Sequence, residues 1–175
     1  MRLTGRRVFT VVGASALMAV MTLIAVVAAQ EAAPASSTLT VAGDVRSPLS
    51  LLSADLRSWP RTRVEAKDHG QAVTYEGVLV GEILGRAGVP LGEELRGDAV
   101  ASYVVASATD GYRVVFSLAE LDPAFTNNDI IVADTIDGKP LPPQQGPLRI
   151  VAPKDARGAR SIRMLERLEV VRLRR

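Results

Sequence analysis

Short runs rich in β-branched residues, broken by Asp-Gly punctuation, set the terms for this chain. Residues 101–108 and 112–116 flank Thr109-Asp110-Gly111, and residues 129–136 close on Asp137-Gly138. An Asp-Gly pair suits the left-handed backbone of a tight turn, so the runs on either side pair antiparallel. Asp68-His69-Gly70 joins an exposed strand at 61–66 to a return strand at 71–75 in the same way. Further strands are predicted at 39–43, 148–151 and 168–173. Helices are few. Ser53 caps one that runs through Leu56 to Trp59 and stops at Pro60. Val78, Leu79, Ile83 and Leu84 follow helical spacing up to Gly88 and Pro90, and Ser117 caps a turn holding Leu118 and Leu121. Pro140, Pro142 and Pro143 make an extended stretch that cannot join a central ladder. The predicted class is α+β, mostly antiparallel β with short helices.

The 175 residues suffice for one domain with a real core and a short targeting segment. The chain has no cysteine, which excludes disulfides, thiolate zinc sites, iron–sulfur clusters and cysteine nucleophiles together. Its single histidine, His69, excludes His-rich metal sites and argues against an unaided Ser-His-Asp triad. Aromatic residues make up only 4% of the chain, too few for a base-stacking surface.

Arg2, Arg6 and Arg7 precede an uncharged run from Val8 to Ala29, and Val27-Ala28-Ala29 offers small residues for cleavage before Gln30. This is the pattern of a secretory signal. The run spans 22 residues, long enough to cross a bilayer as a helix. Residues 1–29 therefore read as a signal peptide or an N-terminal membrane anchor. Membrane contact is expected only through residues 8–29, and only if they are retained. In either case the rest is exported to the periplasm or another extracytoplasmic space. Arg6-Arg7-Val8-Phe9 also resembles the core of a twin-arginine signal, with Gly5 in place of the usual Ser or Thr. Residues 30–38, small and polar, form a linker, and the domain occupies 39–175.

Without the first 29 residues the chain carries 18 basic and 19 acidic side chains, so its basic character comes from the leader. The rest is polarised. Residues 30–148 hold 9 basic and 16 acidic side chains, and residues 149–175 hold 9 basic and 3 acidic. The basic tract faces an anion, a membrane surface or, as the favoured reading, the acidic remainder of the same domain.

The run from Gly138 through Pro153, Gly-Lys-Pro-Leu-Pro-Pro-Gln-Gln-Gly-Pro-Leu-Arg-Ile-Val-Ala-Pro, resembles a segment of the oxidoreductase molybdopterin-binding domain family, the fold of sulfite oxidase. Three further segments resemble that family in the same order: Val41-Ala42-Gly43-Asp44-Val45 with 52–56, Tyr75 through Leu84, and Arg160-Ser161-Ile162-Arg163 with 168–171. The resemblance spans about 39–173 and implies a sulfite-oxidase-type scaffold. It also implies molybdopterin as the cofactor, with a cysteine thiolate binding molybdenum just before the Tyr75–Leu84 segment. Glu65-Ala66-Lys67-Asp68-His69 stands there instead. Soft thiolate donation is absent, so no bound cofactor is the first expectation and molybdopterin the second.

Seven residues are candidates for ligand binding, and no residue is assigned as catalytic or metal-binding. His69 could serve as a ligand or acid/base, but in an Asp-His-Gly turn the solvent-facing reading is favoured. Arg149 could hold a phosphate or carboxylate with its fork, or pair with an aspartate. Lys154 and Arg160 lie on a small-residue loop with Arg157 that could cradle an anion or simply be a charged surface. Asp110 and Tyr112 belong first to the hairpin, and the resemblance sets them beside the cofactor pocket. Asp68 completes the set. Glu93-Glu94, Asp134 and Asp137 read as isolated carboxylates on exposed turns.

Two functions follow. The first is an exported binding or accessory module without catalytic molybdenum, holding a small anionic or polar ligand or an envelope protein. The second is a molybdopterin-dependent oxidoreductase with an oxygen or nitrogen metal ligand. Nucleic acid is excluded as a partner because the domain is exported.

Overall fold

The computed structural model describes residues 38–173. The leader and linker readings for 1–37 lie outside the described residues, whereas Thr38, counted with the linker, is already in a strand. The first half contains β1 (Thr38–Gly43), β2 (Leu49–Leu52), α1 (Ser53–Arg57), β3 (Thr62–Asp68), β4 (Gln71–Leu79) and α2 (Val80–Arg86). After two 3-10 turns come β5 (Ser102–Ala108), β6 (Arg113–Ser117), α3 (Leu118–Leu121) and β7 (Ile131–Ile136). The chain then forms β8 (Lys139–Pro140), β9 (Arg149–Val151), a third 3-10 turn and β10 (Leu165–Arg172).

These strands make two sheets. One runs β2-β1-β10-β5-β6, antiparallel throughout except for the β1–β10 pair. The other runs β3-β4-β7-β8, with β9 also on β7. The predicted hairpins are present. Gly111 takes φ +85° in the β5–β6 turn, and Asp137-Gly138 joins β7 to β8 in the left-handed region.

Alternation decides which faces bury. Leu39, Val41, Val104, Ala106, Phe116, Leu168 and Val170 of the first sheet face Val78, Val132 and Ile150 of the second, with α2 filling the space through Val80, Ile83 and Leu84. The second sheet is buried on its other face as well. Val64, Tyr75, Ile131, Ala133 and Val151 form a smaller cluster there, closed by Leu141 from the proline-rich run. Burial on both faces explains why Ile131 to Asp134 are all inaccessible in succession. Close backbone packing fixes Gly43: at φ +93°, a Cβ there would lie 2.1 Å from the Val170 carbonyl oxygen.

Several expectations change. The first helix begins at Ser53, so its cap is Leu52, whose N–H donates to the Asp55 carboxylate at 2.8 Å. It stops at Ser58, and Trp59 instead packs on the core under the Arg86 guanidinium, 4.1 Å from the ring centroid. Leu49–Leu52, unmarked by any turn signal, is a strand. Pro140 stays out of any central ladder, as expected, and pairs only at the edge beside Thr135 of β7, where nothing is asked of its missing N–H. Asp134 is not on an exposed turn. It is 5% exposed and clasped by Arg61, with Nη2 to Oδ1 at 2.5 Å and Nη1 to Oδ2 at 3.1 Å.

Candidate functional site

Arg149 opens a strand whose three residues are all buried, which carries its guanidinium inside the domain. Nη1 donates to Tyr75 Oη at 2.7 Å and to Gln145 Oε1, and Nη2 reaches the Ser161 carbonyl at 3.5 Å. Nε is buried without a partner. No carboxylate grips this fork. The nearest is Asp68 Oδ1 at 4.0 Å, and Arg163 Nη2 shares that oxygen at 3.9 Å. Asp68 Oδ2 accepts from Gln145 Nε2 at 2.8 Å. Two guanidinium groups thus lean on one carboxylate, and the locality carries excess positive charge. Burial pulls the Arg149 pKa below its ordinary value, against the opposing pull of Tyr75 and Asp68. Burial likewise pushes the Tyr75 phenol up.

The surface above this cluster is a loop, residues 158–164, with an open depression on either side. One, about 370 Å³, is lined by Asp110, Tyr112, Gln144, Ser161, Arg163 and Met164 among others. The other, about 390 Å³, lies between the β3–β4 hairpin and the segment from Ala152 to Gly158, with Glu65, Lys67 and Asp155 on its walls. Four backbone bonds hold the loop. Ile162 and Met164 carbonyls accept from Ile150 and Thr109, while the Met164 and Leu165 N–H groups donate to Gln145 and Leu148. Between buried Ile162 and Leu165, Met164 is forced to φ +49°, a costly conformation for a long side chain. The result turns Arg163 and Met164 out into the first depression.

The structure therefore assembles part of the candidate set and separates the rest. Asp68 joins Arg149 beneath the loop. Asp110 and Tyr112 line the first depression, where Asp110 Oδ1 accepts from the Tyr112 N–H at 2.9 Å and Tyr112 Oη donates to the Ala159 carbonyl at 3.0 Å. His69 is exposed at the hairpin tip, φ +49°. Lys154 turns aside to donate to the Asn127 carbonyl. Arg160 is committed to Asp155 at 2.8 Å and to Glu120, bonds that raise its pKa further. Sequence reasoning did not single out Tyr75, Gln145, Ser161, Arg163 or Met164 as site residues. All but Met164 lie within segments that carried the family resemblance, but nothing in that pattern said which side chains would come together. Among the described residues, no group of three His, Cys, Asp or Glu side chains is arranged to hold a metal.

The family model of the oxidoreductase molybdopterin binding domain matches residues 25–174. The chain belongs to that family. Among solved structures it is similar to the sulfane dehydrogenase SoxCD from Paracoccus pantotrophus, with 20% identity and a TM-score of 0.60 over 77% of this chain. At that identity the likeness concerns the fold. The chain spans 38% of the SoxCD chain it matches. Comparison with the curated proteins returns no match. The molybdopterin-binding fold thus accounts for the two sheets and the run from Gly138 to Pro153 that delivers Gln145 and Arg149.

Proposed function

We propose that this molybdopterin-binding-domain protein is an exported binding or accessory module that holds a small anionic or polar ligand and carries no catalytic molybdenum. The observation that carries the reading is Arg149: a buried guanidinium with an orphaned Nε and no carboxylate closer than 4.0 Å. Arg163, Ser161 and Tyr112 stand in the depression above it. A buried cation left without a close counter-charge favours an incoming anion. Asp110 on the same rim selects against a ligand with bulky negative charge on that side.

The donor set also bears on molybdopterin. Arg149, Arg163 and the Ser161 hydroxyl fit the anionic portion of such a cofactor. The metal is another matter. The segment 65–69 offers Glu65, Asp68 and His69 but no thiolate; Asp68 is held by Gln145, and His69 is exposed at the turn. Hard carboxylates do not replace a soft sulfur donor. Export rests on Arg2, Arg6 and Arg7 followed by the uncharged run to Ala29. Among the described residues no helix is long and apolar enough to cross a membrane.

The deciding experiment uses the full chain, expressed with its own first 29 residues and recovered from the envelope fraction. Molybdenum is measured by elemental analysis, and oxidised pterin by fluorescence, in the same sample. Neither should exceed background. Stoichiometric metal and pterin would overturn the reading in favour of the alternative, a molybdopterin oxidoreductase with an oxygen or nitrogen ligand at Asp68, Glu65 or His69.

A further inference from the structure

One backbone bond brings a carboxylate and a guanidinium to the same depression. The Thr109 N–H donates to the Met164 carbonyl at 3.0 Å, one step beyond the antiparallel pairing of Ala108 in β5 with Leu165 in β10. Asp110 follows Thr109 and Arg163 precedes Met164, so the two charged residues flank that bond on the same side. Both line the open depression of about 370 Å³.

Their charges do not close on each other. Asp110 Oδ1 accepts from the Tyr112 N–H at 2.9 Å, and among the described residues Asp110 has no ion pair and its Oδ2 no partner. Arg163 leans instead on Asp68 Oδ1 at 3.9 Å, an oxygen it shares with Arg149. Arg149, Arg163 and Asp68 together leave one positive charge, and Asp110 supplies one negative charge. The locality is neutral overall but divided. A simple anion that meets Arg163 also faces Asp110, and a simple cation meets the reverse. A ligand that carries both charges satisfies both groups.

We propose that the ligand of this site is a small zwitterion, with an ammonium group and a carboxylate or sulfonate on one short carbon chain. The proposal rests on the binding reading above and names the ligand class within it. The acid group pairs with the Arg163 guanidinium and accepts the Ser161 hydroxyl, whose oxygen already accepts from the Ala152 N–H at 3.1 Å. The ammonium group meets the open Oδ2 of Asp110 and the ring of Tyr112. That ring is 50% exposed, and its hydroxyl is fixed on the Ala159 carbonyl. Met164 gives the connecting carbons an apolar wall.

The test is calorimetric titration of the full chain with β-alanine and taurine. Propionate and ethanesulfonate, the same acids without the amino group, are the controls, and inorganic phosphate reports the anion site alone. At least one amino compound should bind about fivefold more tightly than its control, the scale of one accessible ion pair. Asp110→Asn keeps an acceptor for the Tyr112 N–H and removes the charge. It should erase the amino preference while phosphate binds as well or better. Arg163→Ala should weaken every probe. Phosphate binding without an amino preference, or a preference that survives Asp110→Asn, would overturn the zwitterion and leave the anion reading standing. No binding of any probe would overturn both.

Discussion

The phenol of Tyr75 is the shortest-range partner of Arg149 among those with a neutral acceptor at ordinary distance: Nη1 donates to Oη at 2.7 Å, and the guanidinium carbon lies 4.7 Å from the ring centroid. Tyr75→Phe keeps the ring and removes the acceptor. It should cost about 1–3 kcal/mol, the usual penalty for leaving a buried donor without its partner, read as a lower urea midpoint. The phenol also gives a pH signature. Its folded pKa is raised by burial above the unfolded value of about 10. Its contribution to stability is therefore complete below that unfolded value and is lost as pH rises through the folded pKa. Absorbance titration of the three tyrosines should contain a late component that Tyr75→Phe abolishes.

If the proposed anion site is right, Arg149 serves it through its charge. Arg149→Met replaces an under-compensated buried cation with an apolar chain of similar length. It also leaves the buried Tyr75 hydroxyl and Gln145 amide oxygen without their donor, so stability should fall by about 1–3 kcal/mol. Inorganic phosphate should raise the melting temperature of the unmodified protein, and that increase should disappear in this variant and in Arg163→Ala. An intact phosphate response in Arg149→Met would contradict the assignment.

Asp134 is the opposite case. Arg61 binds it with both nitrogens, Thr135 donates its hydroxyl at 2.7 Å, and Arg57 lies 3.7 Å away. Asp134→Ala should cost about 3–5 kcal/mol, the scale for breaking a buried pair from one side. Chemical denaturation checks it, and Asp137→Ala on the neighbouring turn serves as the milder comparison.

Gly77 sits at the irregularity where β4 shifts register against β7, and a Cβ there would stand 2.1 Å from the Val132 carbonyl oxygen. Gly77→Ala should prevent the two strands from closing and leave most of the protein insoluble. Gly70→Ala meets nothing within 4 Å and suffers only its positive φ of +86°, a cost of about 1 kcal/mol. Soluble yield and thermal midpoint separate the two.

Most of the fold was readable because its signals are local. The turns at Asp68-His69-Gly70, Asp110-Gly111 and Asp137-Gly138 marked the hairpins, and Ser117 does cap α3, accepting from the Glu120 N–H at 3.3 Å. Leu49–Leu52 escaped because four residues with no alternation look like any apolar run, and only β1 makes them a strand. The site was half readable. Arg149 and Asp68 were named, but their meeting joins residues 81 positions apart, with a separation of 4.0 Å that no spacing encodes. Arg163 and Met164 were hidden for a different reason. Their outward turn depends on a left-handed backbone that a methionine does not advertise.

The β3–β4 hairpin contributes to the core through Val64 and Tyr75, whereas its far end, Lys67 through Gln71, is largely open to solvent. His69 and Gly70, at that tip, belong to neither core cluster, so substitution there should hardly affect folding. If the proposed function is right, a metal donor can be absent there while the two sheets remain intact, and membership of an enzyme family and possession of its chemistry become separately heritable traits in this architecture.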